Sequence, residues 1–387
     1  MNILLDFIPF QHNGGVGGAA SFAKAVYDEV FRRKTSEHVF FAICDTSVPQ
    51  GQQYDYEQLA KEKDVQLLDI NGTTLATMIA QYNIDVFFIA IGQFYARYDL
   101  SSIHCKTIMF IHDLYNLESA DNLVDLTIHD PNAESAWHRF KRITNVVIGR
   151  QKTKSLQSYE RIMPLYAASN TLAYTVSDYT RMALHYYFPE IKKPIHVCYS
   201  PDKGGQMDET IENAQLKEMV KDGKKYLLMI AANRNYKNPQ TLLRVFKRLA
   251  EEYSDLYVLT LKYGKSVHPR HIDIPFLSDS DLEHAYHHAY ALVFASYFEG
   301  FGYPPIEAIK HGTPVVASNV TSIPEILGEA GIYFSPFYPA DLYKALRQLV
   351  DNRDIRKDEI ERQYVKVHQR QMHDLDELVA HILSLSS

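Results

Sequence analysis

Short, continuously apolar runs alternate with longer stretches of helical period through most of this 387-residue chain, and that alternation restricts the fold more than any other feature. The runs at 3–7, 39–44, 65–68, 86–91, 107–111 and 172–176 lack the polar alternation of a half-solvated sheet. So do those at 226–231, 257–261, 291–295, 314–317 and 332–334. They read as strands covered on both faces, as strands of parallel sheets are. Helical patterns intervene, for example at 18–32, 239–253, 279–287 and 340–350. Strand and helix in alternation predict an α/β chain with doubly wound parallel sheets.

The alternation occurs twice. Between the two halves lies Tyr199-Ser-Pro-Asp-Lys-Gly-Gly205, rich in turn formers, and then a polar, acidic stretch to Lys225. A chain of this length has room for two cores. We therefore expect domains at 1–200 and 201–359, with the charged helical stretch of about 360–387, which has no strand of its own, packing back on the first domain. Each half opens with a strand and then a turn that can approach a ligand: Gly14-Gly-Val-Gly-Gly18 in the first and Asn233-Arg-Asn-Tyr-Lys237 in the second. Ligands of doubly wound sheets sit outside the carboxyl ends of the strands. Two such domains facing each other would put both turns in one cleft.

Composition narrows the partners. Forty basic against 47 acidic side chains leave a net charge of −7, which gives no reason to expect nucleic acid. Cys44, Cys105 and Cys198 are odd in number and widely spaced, so they read as thiols of a reducing compartment and not as a disulfide framework. No Cys or His spacing suggests a metal site. The first residues read as a strand and not as a targeting leader, and no run approaches the roughly 18 uncharged apolar residues that span a bilayer. A cytoplasmic, soluble chain is expected. The segment 137–154 holds six cations, no acid and the chain's single Trp. It reads as a solvated helix face or as a peripheral contact with an anionic membrane surface.

Glu299 and Glu307 stand in the run Ala295-Ser-Tyr-Phe-Glu-Gly-Phe-Gly-Tyr-Pro-Pro-Ile-Glu-Ala308. A strand empties into a glycine-bearing loop, and Pro304-Pro305 is expected to open a helix carrying Glu307 near its first turn. The first amides of such a helix favour an anion. A carboxylate does not hold a phosphate. Two acids around a phosphate-friendly helix start therefore imply a ligand with both hydroxyls and a diphosphate, which a nucleotide sugar has. Arg234 and Lys237 follow the strand 226–231 and precede the helix-starting Pro239. They suit a diphosphate, Arg as a fork and Lys as a point charge. His112 ends the strand 107–111 and reads either as a donor, acid or base toward a ligand or as a loop anchor held by Asp113. Ser177 reads as a helix N-cap. Gly15-x-Gly17-x-x-Ala20 satisfies the looser dinucleotide fingerprint, but the residues 8–13 make the loop between strand and glycines too long for it.

The run Ser296-Tyr-Phe-Glu-Gly-Phe-Gly-Tyr-Pro-Pro-Ile-Glu-Ala308, followed by Gly312-Thr-Pro-Val-Val-Ala-Ser318, Ser322-Ile-Pro-Glu-Ile326 and Ala330-Gly331, resembles the donor-binding half of the family 4 retaining glycosyltransferases, also called glycosyl transferases group 1. The glycine loop, His112-Asp113, Val176-Ser177, Arg234 and Lys237-Asn238 fall in register with that family, so the resemblance spans the chain. It implies the GT-B fold: two Rossmann-like domains around a cleft, with a C-terminal helix crossing back. It further implies that Glu299 binds hydroxyls of the transferred sugar and Glu307 the ribose hydroxyls. Arg234 and Lys237 would hold the diphosphate, helped by backbone amides of Phe301, Gly302 and Tyr303. Gly15, Val16 and Gly17 would close over the phosphates, and His112 would lie beside sugar and acceptor. No metal or other cofactor is implied; the acceptor would be a glycan, a lipid-linked oligosaccharide or a small molecule. The chain departs from the family at Leu259-Thr-Leu-Lys-Tyr-Gly264, at Tyr199-Ser-Pro-Asp-Lys203 and near the C-terminus, where the usual Phe-Ser-Trp is missing. A nucleotide-sugar 2-epimerase of the same fold, a dinucleotide-dependent oxidoreductase using Asp45 as ribose acid, and a non-catalytic carbohydrate binder are the competing readings.

Overall fold

The computed structural model describes residues 1–11, 17–49, 54–121, 143–145, 149–351 and 356–384. Contacts divide the chain into two compact units. The first comprises Met1–Leu117, Gly149–Lys203 and Arg370–Ser387; the second comprises the described residues of Glu118–Ile148 and of Gly204–Gln369. The long helix Lys357–Ile382 thus belongs to the second unit up to residue 369 and to the first from 370 onward.

The first unit holds one seven-stranded sheet. Its strands are β1 (Asn2–Asp6), β2 (Val39–Cys44), β3 (Val65–Asp69), β4 (Val86–Ile89), β5 (Lys106–Ile111), β6 (Thr171–Thr175) and β7 (Ile195–Val197), in the order β3-β2-β1-β4-β5-β6-β7. The second unit holds a six-stranded sheet of β8 (Lys225–Met229), β9 (Leu256–Leu261), β10 (His271–Ile274), β11 (Ala291–Phe294), β12 (Val315–Ser318) and β13 (Gly331–Phe334), in the order β10-β9-β8-β11-β12-β13. Every pairing in both is parallel. Counted within each unit, both sheets share the doubly wound order 3-2-1-4-5-6, which the first extends by a seventh strand at its edge. The expected runs appear as strands, and two further strands, β7 and β10, appear at sheet edges.

Burial explains the uninterrupted apolar runs. Successive side chains of a strand point to opposite faces. In the second unit Tyr226, Leu228, Leu292, Phe294, Val315 and Ala317 join one core. Leu227, Met229, Ala291, Val293 and Val316 join another on the opposite face. The helix Pro239–Glu252 covers the latter with Leu242, Phe246 and Leu249, and the helix Pro339–Asp351 adds Leu342, Leu346 and Leu349. The spacing of three and four puts each set on one helix face.

The end of the C-terminal helix is held within the first unit by polar contacts. The Tyr199 amide donates to Asp374 at 2.9 Å and the Gln371 side chain donates to the Ser200 carbonyl at 2.6 Å. Tyr174 Oη lies 2.7 Å from His381 Nδ1, and Lys106 donates to the His381 carbonyl at 3.1 Å.

Candidate active site

Strand order reverses between β8 and β11, so the loops leaving these two neighbours diverge and open a crevice at the switch point. Arg234 and Lys237 come from the loop after β8, and Glu299 comes from the loop after β11. The chain leaves β8 through Ala231 at φ 54° and runs into a 3-10 turn, Asn235–Lys237. Asn238, at φ 60°, then starts the helix Pro239–Glu252 with Pro239 in its first turn. Lys237 is 6% exposed. Its ammonium lies 2.5 Å from Glu299 Oε1, 4.5 Å from the Phe294 ring centre and 5.3 Å from that of Tyr236. An ammonium has three donors, and Lys237 spends one of them on Glu299. Arg234 is half-buried and donates to Tyr236 Oη at 3.1 Å.

Glu299 is fixed from its backbone as well. Its amide donates to Thr321 Oγ1 at 3.1 Å, and Ser322 Oγ donates to the carbonyls of Glu299 and Phe301 at 3.1 and 2.9 Å. Thr321 sits at φ 51°, an outlier for a β-branched residue. Such strain persists only where surrounding contacts impose it, and it gathers at functional sites. Gly302 caps the next helix at φ 108°, a conformation that favours glycine. That helix is Tyr303–Lys310. It starts one residue before the expected Pro304-Pro305, and Glu307, its fifth residue, lies in the second turn and not the first. The two prolines still occupy the early positions, where a missing N–H removes no intrahelical bond. Phe301, Gly302 and Tyr303 are buried at this helix start. Glu307 accepts from Tyr286 Oη at 2.5 Å. Burial first, and then the Glu307 charge, push the Tyr286 phenol well above its ordinary range, so it stays a donor.

In the first unit the corresponding strand ends carry different groups. Gly17, at φ 122°, caps the helix Gly18–Arg33; Gly15 and Val16 lie outside the described residues. His112 follows β5. Its Nε2 lies 2.8 Å from the Ala90 carbonyl, which can only accept, so Nε2 carries the proton and Nδ1 is the acceptor of the neutral ring. Burial lowers its pKa to about 4. Phe22 meets the ring edge-on at 4.7 Å. His112 is therefore a neutral acceptor, not the cation that would pair with a phosphate. Asp6, at the end of β1, is wholly buried; its Oδ1 accepts the Ile8 amide at 3.1 Å, and burial raises its pKa to about 7.

Asp45 is fully engaged. Oδ1 takes the Ser47 amide, the Ser47 hydroxyl and Asn71; Oδ2 takes Arg97 at 2.6 Å and Tyr98 at 3.2 Å. Burial works to raise its pKa, but the Ser47 and Asn71 hydrogen bonds and the Arg97 charge overrule it and hold the carboxyl at about 2. Ser177 caps the helix Asp178–Tyr187 through the Thr180 amide, as expected. Of the basic segment 137–154, residues 137–142 and 146–148 lie outside the described residues. Among the described residues, no helix is long and apolar enough to cross a membrane, and no group of three or more His, Cys, Asp or Glu is arranged to hold a metal ion.

The structure thus joins Lys237 directly to Glu299 and places Arg234, Phe301, Gly302, Tyr303 and Glu307 on neighbouring loops and the helix start of the same unit. Tyr286, Thr321 and Phe294 complete the setting and carry no local motif.

The chain is similar to known proteins over both units. Residues 210–366 match the family described as glycosyl transferases group 1. The serotype-specific mannosyltransferase WbdA of Escherichia coli is 25% identical over 263 residues, which cover 63% of this chain and 29% of WbdA. The chain therefore spans less than a third of that relative's length. WaaG, described as a glycosyltransferase involved in lipopolysaccharide biosynthesis, superposes over 99% of this chain and 100% of its own, with a TM-score of 0.64 at 14% identity. Anabaena Alr3699/HepE, solved in complex with UDP and glucose, superposes over 99% of each chain with a TM-score of 0.63 at 14% identity. The fold is GT-B, and residues 210–366 match the glycosyl transferases group 1 family within it.

Proposed function

We propose that the chain is a retaining, metal-independent glycosyltransferase that moves a sugar from a nucleoside diphosphate sugar to an acceptor hydroxyl, in the synthesis of a surface glycan. The observation that carries this reading is the Lys237–Glu299 pair, at 2.5 Å, beside the helix start at the β8/β11 switch point. One member suits an anion and the other suits hydroxyls. Arg234 and the two remaining donors of Lys237 would hold the diphosphate, Glu299 would accept from hydroxyls of the sugar, and Glu307, oriented by Tyr286, from those of the ribose. The bond from the sugar's anomeric carbon to the diphosphate oxygen breaks, and negative charge grows on that oxygen where fixed cations stabilise it. These cations take the charge that a divalent ion would otherwise carry. The acceptor oxygen then bonds to the same face of the anomeric carbon and yields its proton to the departing phosphate. A covalent sugar on Glu299 is disfavoured, because a carboxylate in contact with an ammonium is a weak nucleophile.

Mannose is the first sugar to test, since the curated relatives are mannosyltransferases. The oxidoreductase reading loses its ribose acid, because Asp45 is engaged by Ser47, Asn71, Arg97 and Tyr98. The test is a panel of nucleotide sugars incubated with the protein without acceptor. Slow release of a nucleoside diphosphate and free sugar supports the reading. Conversion to the 2-epimer would assign an epimerase instead, and thermal stabilisation by NAD alone would sink both.

A further inference from the structure

We propose that Gln93 is a positioning residue: it fixes the His112-Asp113 peptide at the end of β5 so that His112 Nδ1 is aimed at a sugar hydroxyl. The hydroxyl as ligand rests on the glycosyltransferase reading above; the fixing of the ring does not. Gln93 lies in a 3-10 turn, Gly92–Tyr95, just after β4. A Cβ at Gly92 would come within 2.9 Å of the Phe110 carbonyl, so glycine is what lets this turn sit against β5. From there Gln93 Nε2 donates to the Asp113 carbonyl at 3.1 Å. Tyr159 Oη, from the helix Arg150–Tyr166, donates to the same carbonyl at 3.0 Å. Thr180 Oγ1, from the helix Asp178–Tyr187, donates to the His112 carbonyl at 3.3 Å. The ring itself is held by Nε2 on the Ala90 carbonyl at 2.8 Å. Nδ1 is left as an acceptor, and nothing among the described residues donates to it.

Two observations separate Gln93 from a packing residue. The Asp113 carbonyl already has a donor in Tyr159, so Gln93 is not needed to keep it satisfied. Gln93 Oε1 is buried with no donor among the described residues. An unpaired buried acceptor costs free energy that an apolar side chain of the same length would escape. A local choice that works against stability is expected where function requires it. What the amide adds is a second fixed point on the Asp113 carbonyl. With Thr180 on the preceding carbonyl and Ala90 on the ring, it leaves the imidazole one orientation. A neutral ring with one free acceptor in a fixed direction suits a hydroxyl, which brings its own proton.

The test is Gln93→Met, which keeps the length and removes both the donor and the unpaired acceptor. Nitrogen-15 spectra of histidine-labelled protein read the His112 ring directly, its signals assigned by their loss in His112→Gln. The kinetic arm uses the nucleotide sugar that the wild type hydrolyses without acceptor, GDP-mannose first, with its nucleoside diphosphate as the probe in titration calorimetry. The single Nε2–H tautomer of the wild type should give way to a mixture in Gln93→Met, while the melting temperature holds or rises. The kcat for hydrolysis should fall at least tenfold, since misplacing a group by about 1 Å can cost about a hundredfold. Nucleoside diphosphate affinity should stay unchanged. An unaltered tautomer pattern overturns the proposal, and so does a mixed one with kcat unchanged. A melting temperature and a nucleoside diphosphate affinity that fall together would make Gln93 a packing residue, which also overturns it. If the tautomer is lost in Gln93→Met but the wild type turns over no nucleotide sugar, the positioning stands and the transferase reading falls.

Discussion

The two sheets share one strand order, yet the groups at their carboxyl ends are treated in opposite ways. In the second unit a lysine and a glutamate meet at 2.5 Å, with the Phe294 and Tyr236 rings beside the ammonium. In the first unit Asp6 and His112 are buried without a charged partner among the described residues, and burial pushes Asp6 up to about 7 and His112 down to about 4, while Asp45 alone of these strand-end groups pairs with a cation, Arg97. Topology fixes where a doubly wound sheet opens to a ligand. At that opening the second unit presents an ion pair, whereas in the first burial works against charge on Asp6 and His112.

The largest test of this contrast is Lys237→Met. Loss of a fixed charge at a developing oxyanion is expected to slow transfer by about a thousandfold, or ~4 kcal/mol. It should also lower the melting temperature, because Glu299 is left without its buried partner. An unchanged rate would break the comparison at its centre.

Next comes Asp6→Asn. A raised carboxyl pKa means that the folded state holds its proton more tightly than the unfolded chain between about 3.8 and 7. Native stability contributed by Asp6 is thus full below that window and lost as pH rises through it. Urea unfolding at pH 5 and pH 8 should show the variant gaining a few kcal/mol on the wild type at the higher pH. A pH-independent difference would mean that Asp6 is ionised in place.

Tyr286→Phe should cost about 1–2 kcal/mol, by leaving the Glu307 carboxylate without its phenol donor, and should weaken nucleoside diphosphate binding in the same experiment. The smallest effect is expected at Thr321. Thr321→Gly relieves the strain at φ 51° while losing the acceptor for the Glu299 amide, so stability should move by under about 1 kcal/mol. Thr321→Val keeps the branching and loses the hydroxyl, and should be the less stable of the two by calorimetry.

How legible this was depended on position within each sheet. Central strands such as β8 and β11 are covered on both faces and spell unbroken apolar runs. The edge strands β7 and β10 do not. Ile195-His-Val197 is three residues long, and His271-Ile-Asp-Ile274 carries two polar residues that both meet Thr260. Glu299 and Lys237 stood out singly, but their contact joins residues 62 apart and no local spacing encodes it. Tyr286 looks like any core residue of a helix. A positive φ at Thr321 runs against what β-branching favours, so only the fold could reveal it. The helix start was one residue out because a buried Tyr303 can precede the proline pair as readily as a cap can.

The allotment of the last helix has a practical consequence for anyone cutting this chain. A fragment ending at residue 203 would lack the segment from Arg370 onward, which supplies the partners of Tyr199, Ser200, Tyr174 and Lys106. Neither unit is a contiguous piece of the gene. Exchange of the first unit between relatives therefore needs four junctions, near 117, 148, 203 and 369, with all three pieces taken from the same parent.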